Sequence, residues 1–192
     1  KLKIFLSSRN NDKVSINGIT CDTLTEIRKF IKKELEDTKF FGKDLFEIKI
    51  NEDFGASTST DSYNKCLQEV RDSDFVIALY SGAAGWAPTG IDLGICHAEL
   101  DTAMNISTHK TAIIDISKYY AISTTDKDEI KRNKLFNDYL VEQNTFNNPL
   151  KLSKANESND GFKRELLASI QNVIYKHFSE RIKLSNIYFN LG

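Results

Sequence analysis

The stretch Asp74-Phe75-Val76-Ile77-Ala78-Leu79-Tyr80, followed by the turn-rich segment Ser81 to Ile91, decides the fold. Six consecutive apolar or aromatic residues behind a single acid read as a strand buried on both faces, the kind found inside a parallel sheet. Leu2-Lys3-Ile4-Phe5-Leu6, ending in Ser7-Ser8, is a second such run, and Ala112-Ile113-Ile114-Asp115-Ile116 a third. Phe46-Glu47-Ile48-Lys49-Ile50 alternates like a strand with one wetter face.

Helical patterns separate these runs. Leu24, Ile27, Ile31 and Leu35 recur at helical spacing, as do Tyr63, Cys66, Leu67 and Val70 behind a capping Asp61, and a third helix is expected from about Asp92 to Asn105. Asn10 to Thr23 is polar with an Asn17-Gly18 turn, and Asn51 to Thr60 reads as a loop. Past Lys118 a charged helix is expected over 128–143, an edge strand at Leu150 and Leu152, and a final helix with the stripe Phe162, Leu166, Ile170, Val173, Ile174 and Phe178 running to about Lys183.

Strands alternating with helices imply right-handed crossovers and an α/β, flavodoxin-like three-layer domain. The simplest parallel order is 2-1-3-4-5, with a long C-terminal helix added. The expected single domain spans 1–183, with a core of 1–116 and an extension of 117–183. The start without Met and the stop at Asn190-Leu191-Gly192 are read as marking a piece of a larger protein, with 184–192 a linker to a downstream region.

Composition excludes several classes. The 192 residues are 40% hydrophobic and 28% charged, with a formal net charge of −1, so neither disorder nor a field favouring nucleic acid or an anionic membrane is indicated. No apolar run approaches a membrane span. Cys21, Cys66 and Cys96 are an odd set without a CxxC pair, which fits reduced thiols in a cytoplasmic protein and not a disulfide frame or a zinc site.

In a 2-1-3-4-5 sheet the first and third strands send their connections in opposite directions, so ligands collect at their carboxyl ends. That crevice would be formed by Ser7, Ser8 and Arg9 together with Tyr80 to Asp92, a stretch holding Ser81, Gly82 and Trp86. The next helix carries Gly94-Ile95-Cys96-His97-Ala98-Glu99-Leu100, with Cys96 and Glu99 on one face and small or apolar residues along the stripe. An acid on a buried stripe is either an ordinary ion pair or a functional carboxylate. Cys96 reads as a small core residue more readily than a nucleophile, and His97, on another face, is expected to be exposed. Trp86 is a stacking platform or a plug, Arg9 a phosphate ligand or a loop cap, and Asp92 a helix cap that could assist Glu99. The glycines match no dinucleotide or Walker fingerprint, and no GxSxG, HExxH or Ser/His/Asp set is present, which leaves a lone carboxylate.

Ile4-Phe5-Leu6-Ser7-Ser8 resembles the strand and loop that open Toll/interleukin-1 receptor (TIR) domains, and Cys96-His97-Ala98-Glu99-Leu100 resembles their Cys-x-x-Glu-Leu helix. The outline also resembles nucleoside 2-deoxyribosyltransferases and, more closely, a TIR-like family of unknown function that opens bacterial signalling ATPases of the STAND type. There Ser7-Ser8, the Asp61 to Asp74 stretch and Glu99 are the matching positions; the likeness covers about residues 1 to 116 and departs from TIR domains in the insert Asn10 to Thr23 and in Ile95, where they have Trp.

The resemblance implies that Glu99 acts at the ribose during N-glycosidic cleavage of a nucleotide. The implied substrate is NAD, with no separate cofactor, and the implied setting is the effector domain of an antiphage receptor that self-associates. Trp86 or Tyr80 would stack on a base, and Ser8 and Arg9 would lie near sugar or phosphate. One acid suffices, because nicotinamide leaves a pyridinium as a neutral base and an ionised carboxylate stabilises the oxocarbenium-like sugar. A non-enzymatic module that binds a nucleotide signal or its own copies, and a deoxyribosyl transferase, are the alternatives.

Overall fold

The computed structural model describes residues 1–54, 60–120, 122–143 and 148–190, with side chains as far as Glu180. In chain order the elements are β1 (Leu2–Ser7), β2 (Lys13–Ile16), β3 (Ile19–Thr23), α1 (Leu24–Glu36), β4 (Lys39–Phe40), β5 (Lys43–Asp44), β6 (Phe46–Lys49), α2 (Thr60–Asp72), β7 (Phe75–Tyr80), α3 (Ile95–Ile106), β8 (Thr111–Asp115), α4 (Lys127–Glu142) and α5 (Asn159–Asn190).

The four apolar runs form one parallel sheet in the order β6-β1-β7-β8, the expected second, first, third and fourth strands. Ile4 faces Ile48 on one side and Phe75 on the other, so the most apolar sequence occupies the sheet's centre. Alternation along each strand divides the interior. Ile4, Leu6, Ile77 and Leu79 pack with Leu24, Ile27, Ile31 and Leu35 of α1 and with Phe162, Leu166 and Ile170 of α5. On the opposite face Phe5 and Val76 meet Val70 of α2 and Ala103 of α3, while Ala78 and Tyr80 pack towards α3 and α4. The result is a three-layer α/β fold of flavodoxin-like type. Among the described residues no helix is long and apolar enough to cross a membrane.

Among the described residues the expected fifth strand shrinks to a single parallel bridge between Asp115 and Pro149. Leu150 N donates to Asp115 O over 2.8 Å, but the Tyr119 hydroxyl then takes both Leu150 O (3.3 Å) and Leu152 N (3.0 Å). A side chain occupies the groups a ladder would need.

The insert Asn10 to Thr23 is a hairpin, not a polar loop. Lys13-Val14-Ser15-Ile16 alternates, Val14 and Ile16 join the α1 core, and the turn is Asn17-Gly18. Thr23 then caps α1, its hydroxyl accepting from Glu26 N while Glu26 Oε2 accepts from Thr23 N.

The third helix starts at Ile95, three residues later than expected, and its N-cap is Gly94. Asn51–Phe54 forms a 3₁₀ turn, and the rest of that loop, 55–59, lies outside the described residues. The last helix runs through most of the segment read as a linker, to Asn190.

Gly94 fixes the join between β7 and α3. Ile95 N donates to Trp86 O (2.8 Å) and Cys96 N to Ala84 O (2.9 Å), which draws the helix start onto the loop. A Cβ on Gly94 would stand 2.3 Å from the Ala84 carbonyl oxygen. Gly90, at φ +83° with nothing within 4 Å, faces only a backbone penalty. Urea unfolding will therefore show Gly94→Ala losing about 3 kcal/mol or more, against about 1 kcal/mol for Gly90→Ala.

Candidate functional site

Ser7 is the last residue of β1, and Glu99 lies one turn into α3, so both meet at the carboxyl end of the β1–β7 pair. Ser7 Oγ donates to Glu99 Oε2 at 2.5 Å. Glu99 is 0% exposed, and its Oε1 has no hydrogen-bond partner among the described residues. Burial pushes its pKa up to about 7; the Ser7 hydrogen bond, the Arg28 charge, and the Asn51 and Cys66 side chains pull the other way. Near neutral pH Glu99 therefore exchanges between acid and carboxylate.

Arg28 is the missed partner. It sits on the apolar stripe of α1, fully enclosed, where it donates to Ser8 O (2.8 Å) and Asn10 Oδ1 (2.7 Å) and pairs with Glu52. Its position between Ile27 and Ile31 is the signal: a cation on a buried stripe needs acceptors, just as Glu99 needs donors. Asn51, also missed, accepts the Cys66 thiol over 3.7 Å.

A crevice of about 290 Å³ opens above this group, lined by Ser8, Arg9, Asp12, Asn51, Trp86 and Cys96 among others. Of the residues expected there, Ser8, Arg9, Trp86 and Cys96 line it, whereas Ser7 and Glu99 are not part of the lining. Trp86 packs edge-to-face on Tyr63, with ring centroids 5.8 Å apart. Arg9 is engaged in the free protein: its Nε meets Asp12 Oδ2 at 2.5 Å and its Nη1 meets Glu129 of α4. Thr124 holds the other oxygen of Glu129 at 2.8 Å.

Four expected residues lie elsewhere. Tyr80 points to α4, edge-to-face with Phe136 at 5.2 Å and donating to Asn137 Oδ1 over 3.3 Å. Ser81 is buried beside it in sequence, and Gly82 sits against Ile122. Asp92 does not cap α3; its side chain is 77% exposed and pairs with Lys131 at 2.9 Å.

His97 overturns the expectation of exposure, being 5% exposed, because α4 covers that face of α3. Its ring stacks on Phe136 at 5.0 Å and meets Tyr139 at 4.7 Å. Burial holds its pKa below the ordinary histidine value. The thiols are protonated: burial pushes Cys66 up to about 12 and raises Cys96 further. Neither is a nucleophile at neutral pH.

A pKa raised from 4.5 to about 7 means that the folded protein binds this proton more tightly than the unfolded chain does. The stability is complete below pH 4.5 and is lost as pH climbs through 7. Glu99→Gln, which keeps an acceptor for Ser7 without ionising, removes that loss. Urea unfolding at pH 5 and pH 8.5 will show the variant gaining on wild type by about 2–3 kcal/mol between the two. Equal differences at both pH values would mean that Glu99 does not titrate near neutrality.

No family model, curated protein or solved structure matches the chain.

Proposed function

We propose that the chain cleaves the N-glycosidic bond of a pyridinium nucleotide, NAD, releasing nicotinamide and leaving ADP-ribose or a cyclic product. It would do so as the effector of a bacterial immune-type receptor. The observation that carries this reading is Glu99: a fully buried carboxylate at the switch point of a parallel sheet, one helical turn from Cys96 in the crevice lining, with a pKa of about 7.

In its ionised form Glu99 would face the sugar as positive charge develops at the anomeric carbon, in a site dry enough for that attraction to count. Ser7, donating to Oε2, holds the carboxylate's orientation. Trp86 offers a face for a base at the crevice wall. Arg9 would take a phosphate by exchanging it for Glu129 or Asp12. Because Glu99 is enclosed, substrate entry includes a displacement of Asn51 and Cys96 at the crevice floor.

That enclosure also favours a second reading, in which Glu99 is a structural pin between β1 and α3 and the crevice binds a nucleotide without turnover, or the domain acts by self-association. Nicotinamide release from NAD, measured with the domain at high concentration or fused to an oligomeriser, separates the two. Under the proposed function wild type turns over and Glu99→Gln loses activity by roughly 100-fold or more. The wild-type rate rises with pH through about 7, being roughly tenfold below its plateau at pH 6. Release that persists in Glu99→Gln removes Glu99 from the chemistry, and no release in any assembled state favours the binding module. Including deoxynucleosides with a second base in the same assay tests deoxyribosyl transfer.

A further inference from the structure

Arg28 breaks the pattern of its own helix. It stands among Leu24, Ile27, Ile31 and Leu35 on the buried face of α1 and is 0% exposed. Folding alone does not ask for a cation there, because apolar side chains of similar volume often replace a buried ion pair at no loss of stability. Its pair with Glu52 is also incompletely served: Arg28 Nε and Glu52 Oε2 have no hydrogen-bond partner among the described residues. A group buried on those terms is a cost to the fold.

What the guanidinium holds points to its use. Arg28 donates to Ser8 O (2.8 Å) and Asn10 Oδ1 (2.7 Å) on the loop after β1, and its Nη2 reaches Glu52 in the turn Asn51–Phe54. Ser8, Asn10 and Asn51 line the crevice, and Arg28 does not. One side chain therefore ties two walls of the crevice together from behind. The same helix face has further ties to the turn, with Thr25 donating to Glu52 Oε1 (2.9 Å) and Lys32 to Asp53 (2.8 Å). Those two hold the turn on α1, and Arg28 alone of the three extends to the loop that leaves Ser7. Ser7 at the head of that loop and Asn51 in that turn both hydrogen-bond Glu99.

We propose that Arg28 is the positioning residue of this site, its fork holding the Ser8–Asn10 loop and the Asn51 turn in the arrangement that orients the Glu99 carboxylate. The inference deepens the proposed function and rests on it, in that Glu99 is the reacting group. Arginine suits the task where lysine does not, because a planar fork meets several acceptors in fixed directions. Charge follows from the same contacts. Arg28 favours the ionised form of Glu99, and Glu52 neutralises part of that field. The other titratable groups acting on Glu99 are Tyr63 and Cys66 of α2 and Cys96 of its own helix, all raised by burial and uncharged at pH 7. Arg9, on the loop after β1, is matched by Asp12 and Glu129.

Two variants and two readouts test this. The Glu99 carboxyl is titrated by NMR in the full chain carrying isotope-labelled glutamate, with Glu99→Gln identifying its resonance. Nicotinamide release from NAD is followed over the same pH range under the assembly conditions of the assay above. Glu52→Gln keeps an oxygen for Arg28 and Thr25, so the fold is retained, while the whole Arg28 charge now acts on Glu99. Its Glu99 midpoint falls from about 7 by roughly one pH unit, and the pH midpoint of release falls with it. Arg28→Lys keeps the charge and loses the fork: kcat drops by roughly tenfold or more, with the Glu99 midpoint near that of wild type. If Arg28→Lys does not fold, the Glu52→Gln midpoint decides. A midpoint unmoved by Glu52→Gln, or undiminished release in Arg28→Lys, overturns the inference and leaves the role of Glu99 intact. A wild type that releases no nicotinamide, but whose midpoint moves in Glu52→Gln, overturns the proposed reaction and not the hold of Arg28 on Glu99.

Discussion

Enclosing the Glu99 carboxylate is the constraint on which the carboxyl end of this fold is built. An ionised acid taken wholly out of water is costly, and the chain offsets that cost only in part. Ser7 supplies one hydrogen bond from the end of β1, Arg28 supplies charge from α1, and Asn51 and Cys66 stand near from the β6–α2 side. Four elements thus converge on one side chain, and the incomplete offset leaves a proton held to about pH 7. Gly94 belongs to the same constraint. Only a residue without a Cβ lets α3 start close enough to Ala84 for Glu99 to reach Ser7 at all.

The crevice above has a different electrostatic character. Arg9 is matched by Asp12 and Glu129, and Thr124 fixes Glu129, so the mouth is an ion-pair network and not a bare anion site. Any anion bound at Arg9 would have to displace Asp12 or Glu129, whose pairing keeps the guanidinium oriented. It also ties the site to α4, an element the family resemblance does not cover. The helix that seats Phe136 over His97 is the one that carries Glu129, so packing over α3 and charge at the crevice are mechanically joined.

Much of this was legible in the sequence because burial on two faces writes continuous apolar runs. β1, β7 and β8 read directly from Leu2-Lys3-Ile4-Phe5-Leu6, Phe75 to Tyr80 and Ala112 to Ile116, and the strand order followed from the alternation with helices. The site was legible as a position, since Glu99 interrupts a stripe of small and apolar residues. What could not be read was tertiary in origin. His97 is buried by α4, which is distant in sequence; Leu150 fails to continue a strand because the Tyr119 hydroxyl takes its partners; Tyr80 is drawn to α4 by the Phe136 ring and the Asn137 side chain, both distant in sequence. The β2–β3 hairpin and Arg28 are different. Alternation in Lys13 to Ile16 and a cation between Ile27 and Ile31 were present as signals, weak only because each spans few residues.

The residues that break local rules fall at the two ends of the sheet. At the carboxyl end an acid is buried with one oxygen unpartnered among the described residues, and at the amino end a phenylalanine is exposed in a turn built for asparagine. At other points propensity, pattern and packing agree: Thr23 and Glu26 cap α1, Asn17-Gly18 closes its hairpin, and the β7 residues are buried without exception. A chain able to satisfy the same turn correctly at residues 17 and 18 has no folding reason to strain it at residue 41. Consistency across the rest of the fold is therefore what gives the two departures their meaning, because each costs stability that its own surroundings do not return. For Glu99 the surroundings leave a proton held to about pH 7; for Phe41 nothing at the turn offsets the strain.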